Sequence, residues 1–414
     1  MIRPRSVQPW LLFGVALLLR AGWVGYGWVQ RGPELSYDDE SLHWQLATNL
    51  IRDGTLASDD GRYAARMPLY PLLLAALAGP GEVGILLARL AQAILGACGV
   101  VVLAGWARAA AGARAAWLAG VLAALDPFAI FFASLLLSEV VFTFLLIVFL
   151  RAAWLLAQPA GATWRAASVL ALSGAALVLT RPSVALLVPL VWCLVAWIRA
   201  LDRVALSRLA LAPVVLAAAL IPWGLRNQAV LGSPAWLSTN GGVTLYDALG
   251  PQADGSSNQE FLRTMPGLAA LDEVALDQHL RRLALESAGA DLPRVLQLAG
   301  TKLARTWTPS PNVAEYRTGA TAWIGGAYSV GVYGLAVASL VWCLARSRDP
   351  RVRRLQLLAW SAALYFALVH AVYIGSVRYR LPVMPLLVAA GATLLAPRSI
   401  PGAAQSAAAA PEAT

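Results

Sequence analysis

The sequence predicts an all-α polytopic membrane protein with about ten transmembrane helices. Of its 414 residues, 59% are hydrophobic and only 13% are charged, and the mean hydropathy is +0.65. Soluble proteins of this length are nearer half apolar and a quarter charged. The apolar residues also lie in blocks of roughly 20, the length of helix that crosses a hydrocarbon core of about 30 Å. Each span must be helical, because a lipid-exposed backbone has no water to satisfy its hydrogen bonds.

Ten apolar segments have the length and composition of spans. They lie near residues 9–30, 82–106, 115–136, 138–157, 166–181, 183–199, 208–225, 320–345, 355–375 and 381–396. The division of 166–199 into two spans rests on Arg181-Pro182, since the residue before a proline disfavours the helix. We expect the first segment to be a span and not a cleaved signal peptide, because it is long, carries Arg20 and lacks a small-residue cleavage pattern.

The positive charge of the chain is concentrated in the loops on one side of the membrane. The formal net charge is +10. Alternating the loops across the ten segments places fourteen arginines on one side with only three acids, which is the positive-inside pattern of a cytoplasmic face. The other face carries most of the carboxylates, so basic charge sets topology and nucleic acid is not an expected partner. We expect a bacterial inner-membrane protein with cytoplasmic termini and an active site on the periplasmic or extracellular face.

The segments between the spans divide the chain into four regions. Residues 1–225 are expected to form an N-terminal transmembrane module, in which residues 31–81, the outer loop, carry the chemistry. Residues 226–319, the outer subdomain, are expected to be a small mixed extracytoplasmic unit, and residues 320–397 to be the C-terminal transmembrane helices. The Ala-rich segment 398–414 has little to bury and is expected to be a disordered cytoplasmic tail.

Both outer segments contain helical patterns. In the outer loop, leucines four residues apart predict an amphipathic juxtamembrane helix over 37–53 that lies along the membrane surface. Ser36 with the acid three residues later resembles a capping box at the start of this helix. A second, half-buried helix is expected over 68–78. The outer subdomain adds helical stretches near 268–288 and 292–306.

Three adjacent carboxylates, Asp38, Asp39 and Glu40, open the first of these helices. The macrodipole favours negative charge at a helix N-terminus and explains part of this cluster. The functional interpretation is that one carboxylate acts as general base toward an acceptor hydroxyl. His43 can share a helix face with two of these acids as one corner of a metal site, or it can be a solvated or substrate-facing side chain. One histidine and two carboxylates do not complete a site, so a divalent metal is not indicated and no other cofactor is predicted.

Other polar residues gather at the outer membrane boundary. Arg66 precedes a Pro-containing turn, and Glu139 lies near the outer end of a span, where a carboxylate is a functional-site hypothesis by default. Aromatic belts and snorkelling arginines also mark ordinary membrane interfaces, so each feature has a second explanation. A cleft that combines a carboxylate base with a guanidinium clamp would suit transfer of a group from a phosphate leaving group.

Six short segments occur in an order that resembles a known family. They are Asp39-Glu40, Arg66-Met67-Pro68-Leu69-Tyr70-Pro71, Ser138-Glu139, Leu179-Thr180-Arg181-Pro182, Pro222-Trp223-Gly224-Leu225-Arg226-Asn227 with Thr239-Asn240-Gly241-Gly242, and Arg378-Tyr379-Arg380-Leu381-Pro382. Over roughly residues 10–396 this order is similar to that of the GT-C type membrane glycosyltransferases. The resemblance is to the family 39 group, related to dolichyl-phosphate-mannose–protein mannosyltransferases, whose bacterial relatives include the lipid A aminoarabinose transferases.

The resemblance implies inverting transfer of one sugar from a polyprenyl-phosphate donor on the non-cytoplasmic side. Asp39 matches the acidic residue taken as the base, with Glu40 as a second catalytic carboxylate and Asp38 as an alternative base. The candidates for holding the donor phosphate are Arg66, Arg226, Arg378 and Arg380. The expected substrate-binding residues are His43, Tyr70, Glu139, Asn227, Asn240 and Tyr379. The chain departs from the family pattern at Met67, where a proline is usual, and at His43, near the place of an aromatic residue.

The expected partners are a polyprenyl-phosphate-linked sugar, membrane lipids, and an acceptor protein, glycolipid or cell-envelope glycan. Two other functional classes are also compatible with the sequence. A flippase or transporter of lipid-linked sugars would place polar residues along a path near the bilayer midplane, and Arg20, Arg89 and Arg151 lie within expected spans. A non-catalytic membrane scaffold would not depend on Asp39 at all.

Overall fold

The computed structural model describes residues 9–79, 81–200, 202–312 and 316–396. Within these ranges the regular structure is helical and contains no β-strand. The predicted fold class, an all-α polytopic membrane protein, is confirmed. The tail at 398–414, which we expect to be disordered, lies outside the described residues.

The α-helices are numbered in chain order. The first group comprises α1 (Pro9–Arg31), α2 (Asp38–Asp53), α3 (Leu69–Ala78), α4 (Glu82–Ala111), α5 (Ala113–Ala124), α6 (Pro127–Phe132) and α7 (Glu139–Leu156). The second comprises α8 (Trp164–Thr180), α9 (Leu187–Ile198), α10 (Arg203–Leu209) and α11 (Leu211–Leu231). The third comprises α12 (Gly241–Leu249), α13 (Phe261–Thr264), α14 (Glu273–Ala290), α15 (Leu292–Trp307), α16 (Gly319–Arg346), α17 (Pro350–Val372), α18 (Val377–Arg380) and α19 (Met384–Ala392).

Six helical segments in the described part of the chain are long and apolar enough to cross a membrane. They are α1, α4, α7, α10 with α11, α16 and α17. The other four expected spans correspond to shorter apolar helices at Ala113–Ala124, Trp164–Thr180, Pro182–Ile198 and Met384–Leu395. Every apolar segment that the sequence identifies therefore contains a helix, and six of them have the length of a full span.

The expected span at 115–136 is divided into two helices. Asp126 caps α6 by accepting a hydrogen bond from the amide of Phe128 at 2.9 Å. Pro127 favours the break because it has no amide hydrogen with which to continue α5. Arg20 of α1 donates to the last two carbonyls of α5 at 3.1 and 3.2 Å, so this intramembrane arginine satisfies the carbonyls that the break exposes.

Small side chains pack the membrane helices closely. α4 packs against α1, α5 and α7, while α8 packs against α7 and α11. α19 is buried among α16, α5 and α17. Lipid supplies no hydrophobic driving force between helices, so close approach through small residues stabilises such bundles. At Gly391 of α19 an added Cβ would lie 2.8 Å from Leu335 of α16, so this contact requires a glycine.

The outer loop folds into the two helices that the sequence predicts. α2 begins one residue after the predicted start and packs against α3. The predicted capping box at Ser36 is wrong, since Tyr37 stands at the N-cap position. The carboxylate of Glu40 instead accepts from the Ser36 amide at 2.9 Å and fixes the first turn of α2.

The outer subdomain is built around the contact between α12 and α14. An added Cβ at Gly242 of α12 would lie 1.8 Å from the carbonyl oxygen of Asp277 on α14. The Gly242 amide also donates to the Asp277 carboxylate at 2.5 Å. α14 and α15 correspond to the helical stretches predicted near 268–288 and 292–306. α15 packs against α17 and α18. The subdomain is thereby attached to the segment that carries Arg378.

Candidate active site

Asp39, on the first turn of α2, lies between two arginines that are far apart in the sequence. Its Oδ1 accepts from Nη2 of Arg66 and its Oδ2 from Nη1 of Arg378, both at 2.5 Å. Arg66 comes just before α3, and Arg378 lies in α18, whose start is capped by Ser376. Three separate elements therefore meet at one carboxylate.

Arg378 also links Asp39 to a second carboxylate. Its Nε donates to Oε1 of Glu139 at the start of α7. Nη2 of Arg181, at the end of α8, contacts the same oxygen at 3.2 Å. Glu139 is 0% exposed, and its Oε2 has no hydrogen-bond partner within the described residues. We call Asp39, Arg66, Glu139, Arg181 and Arg378 the charged cluster.

The charged cluster keeps Asp39 ionised. Burial raises the pKa of this carboxyl, but the guanidinium groups of Arg66 and Arg378 outweigh burial and hold the pKa well below its usual range. Burial likewise lowers the pKa of Arg378, and Glu139 and Asp39 together raise it well above its ordinary value. Asp39 is therefore a carboxylate of suppressed basicity as long as both arginines contact it.

His43 lies one turn further along α2 and contacts the same region. Its ring meets the ring of Tyr70 edge-on, with 4.8 Å between centroids. Burial, followed by the charge of Arg66, lowers the pKa of His43 to about 3, so the ring is neutral at physiological pH. Its Nδ1 has no hydrogen-bond partner among the described residues. In those same ranges no three His, Cys, Asp or Glu side chains are grouped as metal ligands.

An apolar groove reaches the charged cluster. It has a volume of about 370 Å³ and is lined by α1, α6 and α16. Trp23, Phe131 and Ile324 are among the side chains that form its walls. Arg378 is the one charged residue in the described part of its lining, so the groove brings apolar surface up to a guanidinium group.

A basic cavity adjoins this groove at Arg378. It has a volume of about 480 Å³ and lies among α2, α8, α14 and α17. Asp39 and Arg181 line it together with Arg378. Tyr379 also lines it and stacks on His370 of α17, with 4.1 Å between the ring centroids. Arg66 lines it as well, so the cavity combines four members of the charged cluster with an aromatic wall.

An outer cleft opens on the other side of Asp39. It has a volume of about 1280 Å³ and lies between the outer loop and the outer subdomain. Asp38 lines this cleft, and Asp39, Arg66 and Asn240 line both the cleft and the basic cavity. An apolar groove, a basic cavity and a polar cleft thus meet at the charged cluster.

No protein-family model matches this sequence, and no curated protein matches it either. Solved structures do match the fold. The Archaeoglobus fulgidus oligosaccharyltransferase in its apo form gives a TM-score of 0.57 at 16% identity, covering 94% of this chain and 50% of that chain. AglB from the same organism, in complex with an inhibitory peptide and a dolichol-phosphate, gives 0.54 at 16% identity, covering 93% and 50%. The chain has a GT-C fold.

This GT-C fold agrees with the resemblance predicted from the six sequence segments. ArnT from Cupriavidus metallidurans, bound to undecaprenyl phosphate, aligns at 16% identity over 93% of this chain and 76% of that chain, but its TM-score of 0.42 supports no conclusion. The chain spans about half the length of the oligosaccharyltransferase chains that it matches. Identities this low establish the fold alone, so the family 39 subgroup stays a prediction.

The GT-C fold brings most of the predicted site residues to one place. Four of them belong to the charged cluster or bind within it, and the rest line the adjoining cavities. They are Asp39, Arg66, Glu139 and Arg378 in the cluster, His43, Asn240 and Tyr379 at the basic cavity, and Asp38 at the outer cleft.

The position of Glu40 does not support its predicted catalytic role. Its side chain is 0% exposed, and its two oxygens accept from the amides of Ser36 at 2.9 Å and Leu136 at 2.7 Å. Glu40 therefore ties α2 to the segment before α7. Tyr70 is also withdrawn from the three cavities, since it is 1% exposed and its hydroxyl donates to Gln92 at 2.9 Å.

Arg226, predicted to hold the donor phosphate, and Asn227, predicted to bind substrate, both donate to backbone carbonyls in the structure. Arg226 donates to the carbonyls of Leu56 at 2.6 Å and Tyr63 at 2.7 Å. Asn227 is 0% exposed and donates to the carbonyl of Ala235 at 2.6 Å. The two side chains fasten the outer loop and the start of the outer subdomain to α11.

Arg380, like Arg226, was predicted to hold the donor phosphate, and in the structure it also contacts protein groups. It is 1% exposed. Its guanidinium donates to two backbone carbonyls and two hydroxyls, those of Thr308, Pro309, Ser329 and Tyr333. Both terminal nitrogens are directed into protein, so Arg380 fastens α18 to α16 and to the chain after α15.

Three residues have roles at the site that sequence reasoning did not assign. Arg181 belongs to the charged cluster, and the helix break at Arg181-Pro182 was a usable signal for its position. His370 was detectable as a histidine near the end of a predominantly apolar span. Glu273 accepts from the amides of Tyr63 at 2.7 Å and Ala64 at 2.9 Å. No local pattern identifies this last contact, because its partners are 209 and 210 residues away.

Proposed function

We propose that this protein is an inverting glycosyltransferase that moves one sugar from a polyprenyl-phosphate donor to an extracytoplasmic acceptor. One observation carries the proposal. Asp39, held by Arg66 and Arg378, lies where an apolar groove, a basic cavity and a polar cleft meet. A lipid-linked sugar phosphate and a hydroxyl acceptor need these three environments around a general base.

The apolar groove supports a donor with a long hydrocarbon chain. Its walls are almost entirely apolar, and burying such a chain contributes about 0.8 kcal/mol for each CH₂ group. Arg378 is the charged residue at which the groove and the basic cavity adjoin. A polyprenyl chain in the groove would therefore deliver its phosphate to Arg378 and its sugar to the basic cavity.

The charge around the basic cavity supports a monophosphate-linked donor. Four guanidinium groups and three carboxylates line the cavity or pair with its lining, which leaves one positive charge. They are Arg66, Arg181, Arg281 and Arg378, with Asp39, Glu139 and Asp277. A sugar joined to polyprenyl phosphate is a phosphodiester with one negative charge, whereas a diphosphate-linked sugar carries two.

The proposed chemistry is a single displacement at the anomeric carbon. The acceptor hydroxyl enters through the outer cleft and attacks from the face opposite the phosphate, while its proton passes to Asp39. The bond from the anomeric carbon to the phosphate oxygen breaks, and polyprenyl phosphate leaves with the electron pair. Arg378 and Arg181 stabilise the charge that develops on the leaving group, as oriented donors do in other transferases.

The transporter alternative receives less support. Arg20 donates to three backbone carbonyls at 3.1 to 3.2 Å. Arg89 donates to the carbonyls of Gly32 and Glu34 at 3.1 and 2.7 Å. Two of the three intramembrane arginines are therefore occupied by helix ends and loop backbone, and do not line a polar path.

Mass spectrometry of envelope glycans and glycolipids from a deletion strain tests the proposal. The strain is complemented with wild type, with Asp39→Asn, or with Arg52→Gln as a control in the same helix. Arg52 is exposed and pairs with its neighbour Asp53. We expect one sugar to be missing in the deletion strain and with Asp39→Asn, and to be restored by wild type and Arg52→Gln. An unchanged glycan profile would contradict the proposal, and accumulation of lipid-linked donor on the cytoplasmic side would favour a transporter.

A further inference from the structure

We propose that the donor phosphate takes Nη1 of Arg378 away from Asp39, so that the base becomes available only after the donor has bound. This inference rests on the proposed function and adds an order of events to it. The contacts that carry it are those of a single guanidinium group, which donates to Asp39 and Glu139 and also lines the apolar groove.

Arg378, and not Arg66, is the arginine that a lipid-borne phosphate meets first. Arg66 lines the basic cavity and the outer cleft, and it also donates to the carbonyl of Ala65 at 3.0 Å. It does not line the groove. Arg378 lines the groove and the basic cavity, so the head of a chain lying in the groove is directed to it.

Glu139 allows Arg378 to change one partner while keeping the other. It is 0% exposed, accepts from Nε of Arg378, and is fixed by Arg181 at 3.2 Å. Nε and Nη1 are separate donors of one planar group. The guanidinium can therefore stay anchored at Nε while Nη1 passes from Asp39 to a phosphate oxygen.

The exchange changes what Asp39 can do. Without the donor, each of its oxygens accepts from a guanidinium, Oδ1 from Arg66 and Oδ2 from Arg378. After the exchange, Oδ2 has lost its cation and has a phosphate anion nearby, while Asp39 still lines the basic cavity with neutral His43. Fewer opposite charges and more like charge raise the pKa of a carboxyl, which makes Asp39 a better proton acceptor.

The cycle closes when the lipid product leaves. The acceptor proton is transferred to Oδ2 of Asp39 as the acceptor oxygen bonds to the anomeric carbon and the carbon–phosphate-oxygen bond breaks. Departure of polyprenyl phosphate returns Arg378 to Asp39, and the returning cation expels the proton to water. The proton bound in one turnover is thus released before the next donor arrives.

If the phosphate and Asp39 compete for the same N–H group of Arg378, removing the Asp39 carboxylate should increase the affinity of the protein for a lipid phosphate. This increase can be measured. Undecaprenyl phosphate is titrated at neutral pH into the full-length purified protein in detergent or nanodiscs. We expect Asp39→Asn to bind it about tenfold more tightly than wild type, because the phosphate no longer displaces a charge-assisted hydrogen bond. Loss of folding cannot produce tighter binding, so the expected result is not open to that explanation.

Asp53→Asn is the matched control. It removes the same charge from the same helix, and Asp53 is exposed and pairs with its neighbour Arg52. We expect its affinity to change by less than about twofold, as for a screened surface charge. Equal tightening in both variants, or wild-type affinity or weaker binding in Asp39→Asn, would overturn the exchange.

A spectroscopic measurement separates failure of the exchange from failure of the proposed function. Isotope-edited infrared spectra of the Asp carboxyls, with Asp39→Asn subtracted, should titrate at higher pH with undecaprenyl phosphate than without it. If the lipid binds and transfer requires Asp39 but this titration does not move, the exchange is wrong and the transferase assignment stands. If undecaprenyl phosphate does not bind to any variant, both proposals are wrong.

Discussion

Two sets of arginines lie near the same end of the membrane helices and differ in what they contact. Arg378 of the charged cluster donates to carboxylates and lines two cavities. Arg226 and Arg380 donate to backbone carbonyls and hydroxyls inside the protein. A carboxylate partner beside a cavity can be exchanged for a phosphate, whereas a buried carbonyl would be left without a donor. The partner, and not the residue type, distinguishes a ligand-binding arginine from a structural one.

The largest expected effect comes from removing the carboxylate at the centre of the charged cluster. Asp39→Asn should lower the rate of sugar transfer by about 100- to 10,000-fold, the range for loss of a positioned general base. The protein should remain folded and membrane-inserted, since Asn keeps the shape of Asp. Transfer is measured in membranes that contain equal amounts of each protein. Undiminished transfer by Asp39→Asn would remove the base assignment, and a loss confined to Asp38→Asn would move it to Asp38.

The next prediction compares the two sets of arginines directly, through Arg378→Gln and Arg380→Gln. Arg378→Gln should reduce transfer by the folded protein about 10²-fold, the scale for losing one oriented charged donor. Arg380→Gln leaves buried carbonyls of Thr308 and Pro309 without a donor, so it should cost about 1–3 kcal/mol in the free energy of unfolding.

Thermal unfolding in detergent and the kcat of the folded fraction separate these two outcomes. Folded Arg380→Gln should retain kcat within about threefold of wild type. If Arg380→Gln loses kcat without losing stability, then Arg380 is a ligand-binding arginine. The partner of a guanidinium group would then not distinguish ligand-binding arginines from structural ones.

A third prediction concerns pH and the neutral ring of His43. Burial lowers its pKa from 6.5 to about 3 in the folded protein, so the unfolded chain binds a proton here at higher pH than the folded chain does. Stability is therefore unaffected by His43 above about pH 6.5 and falls progressively as pH drops from 6.5 toward 3. His43→Phe keeps a ring against Tyr70 and should remove this part of the acid sensitivity.

The measurement is the melting temperature of wild type and His43→Phe between pH 7.5 and pH 4.5. The two curves should diverge below about pH 6.5, with wild type falling more steeply. His279→Gln changes a histidine on α14 that is not buried and serves as the control. Parallel curves for wild type and His43→Phe would mean that burial does not keep this ring neutral.

The spans could be predicted because each is a local property. A helix in lipid must satisfy its own backbone and present apolar side chains, so composition over about 20 residues is sufficient. The division of 115–136 was missed because apolar composition continues across Asp126-Pro127. There the decisive contact, from Arg20 to the end of α5, comes from another helix.

The site was predictable in part, for a related reason. Residue type and position at a span end identified Asp39, Arg66, Glu139 and Arg378, but the same features also selected Arg226 and Arg380. Nothing local reveals whether a guanidinium will find a carboxylate or a carbonyl, because the partners of Arg378 lie 239 and 339 residues away. Glu40 was misjudged in the same way, since its partner at Leu136 is 96 residues away.

The smallest expected effect lies at Lys302, the single lysine of the chain, which connects α15 to the segment that carries Arg378. Burial lowers the pKa of Lys302 to about 8, so it is still largely protonated at neutral pH. Its Nζ donates to the carbonyl of Val372, the last residue of α17, at 2.7 Å. Lys302→Met keeps the volume but frees this carbonyl, so the start of the 373–380 segment loses an anchor.

Lys302→Met should lower kcat/KM about three- to tenfold, since small displacements of a positioned group already cost rate. The effect should fall mainly on KM for the donor, because Arg378 is the group that the segment positions. The free energy of unfolding should change by less than about 2 kcal/mol, since replacing a buried charge by an apolar side chain is often close to neutral.

Thr301→Ala, on the exposed side of α15, is the control for changes to this helix. A fall in stability with unchanged kinetics of the folded protein would make Lys302 structural only. A rise in donor KM without loss of stability would show that the position of Arg378 in the charged cluster depends on a contact made by the outer subdomain.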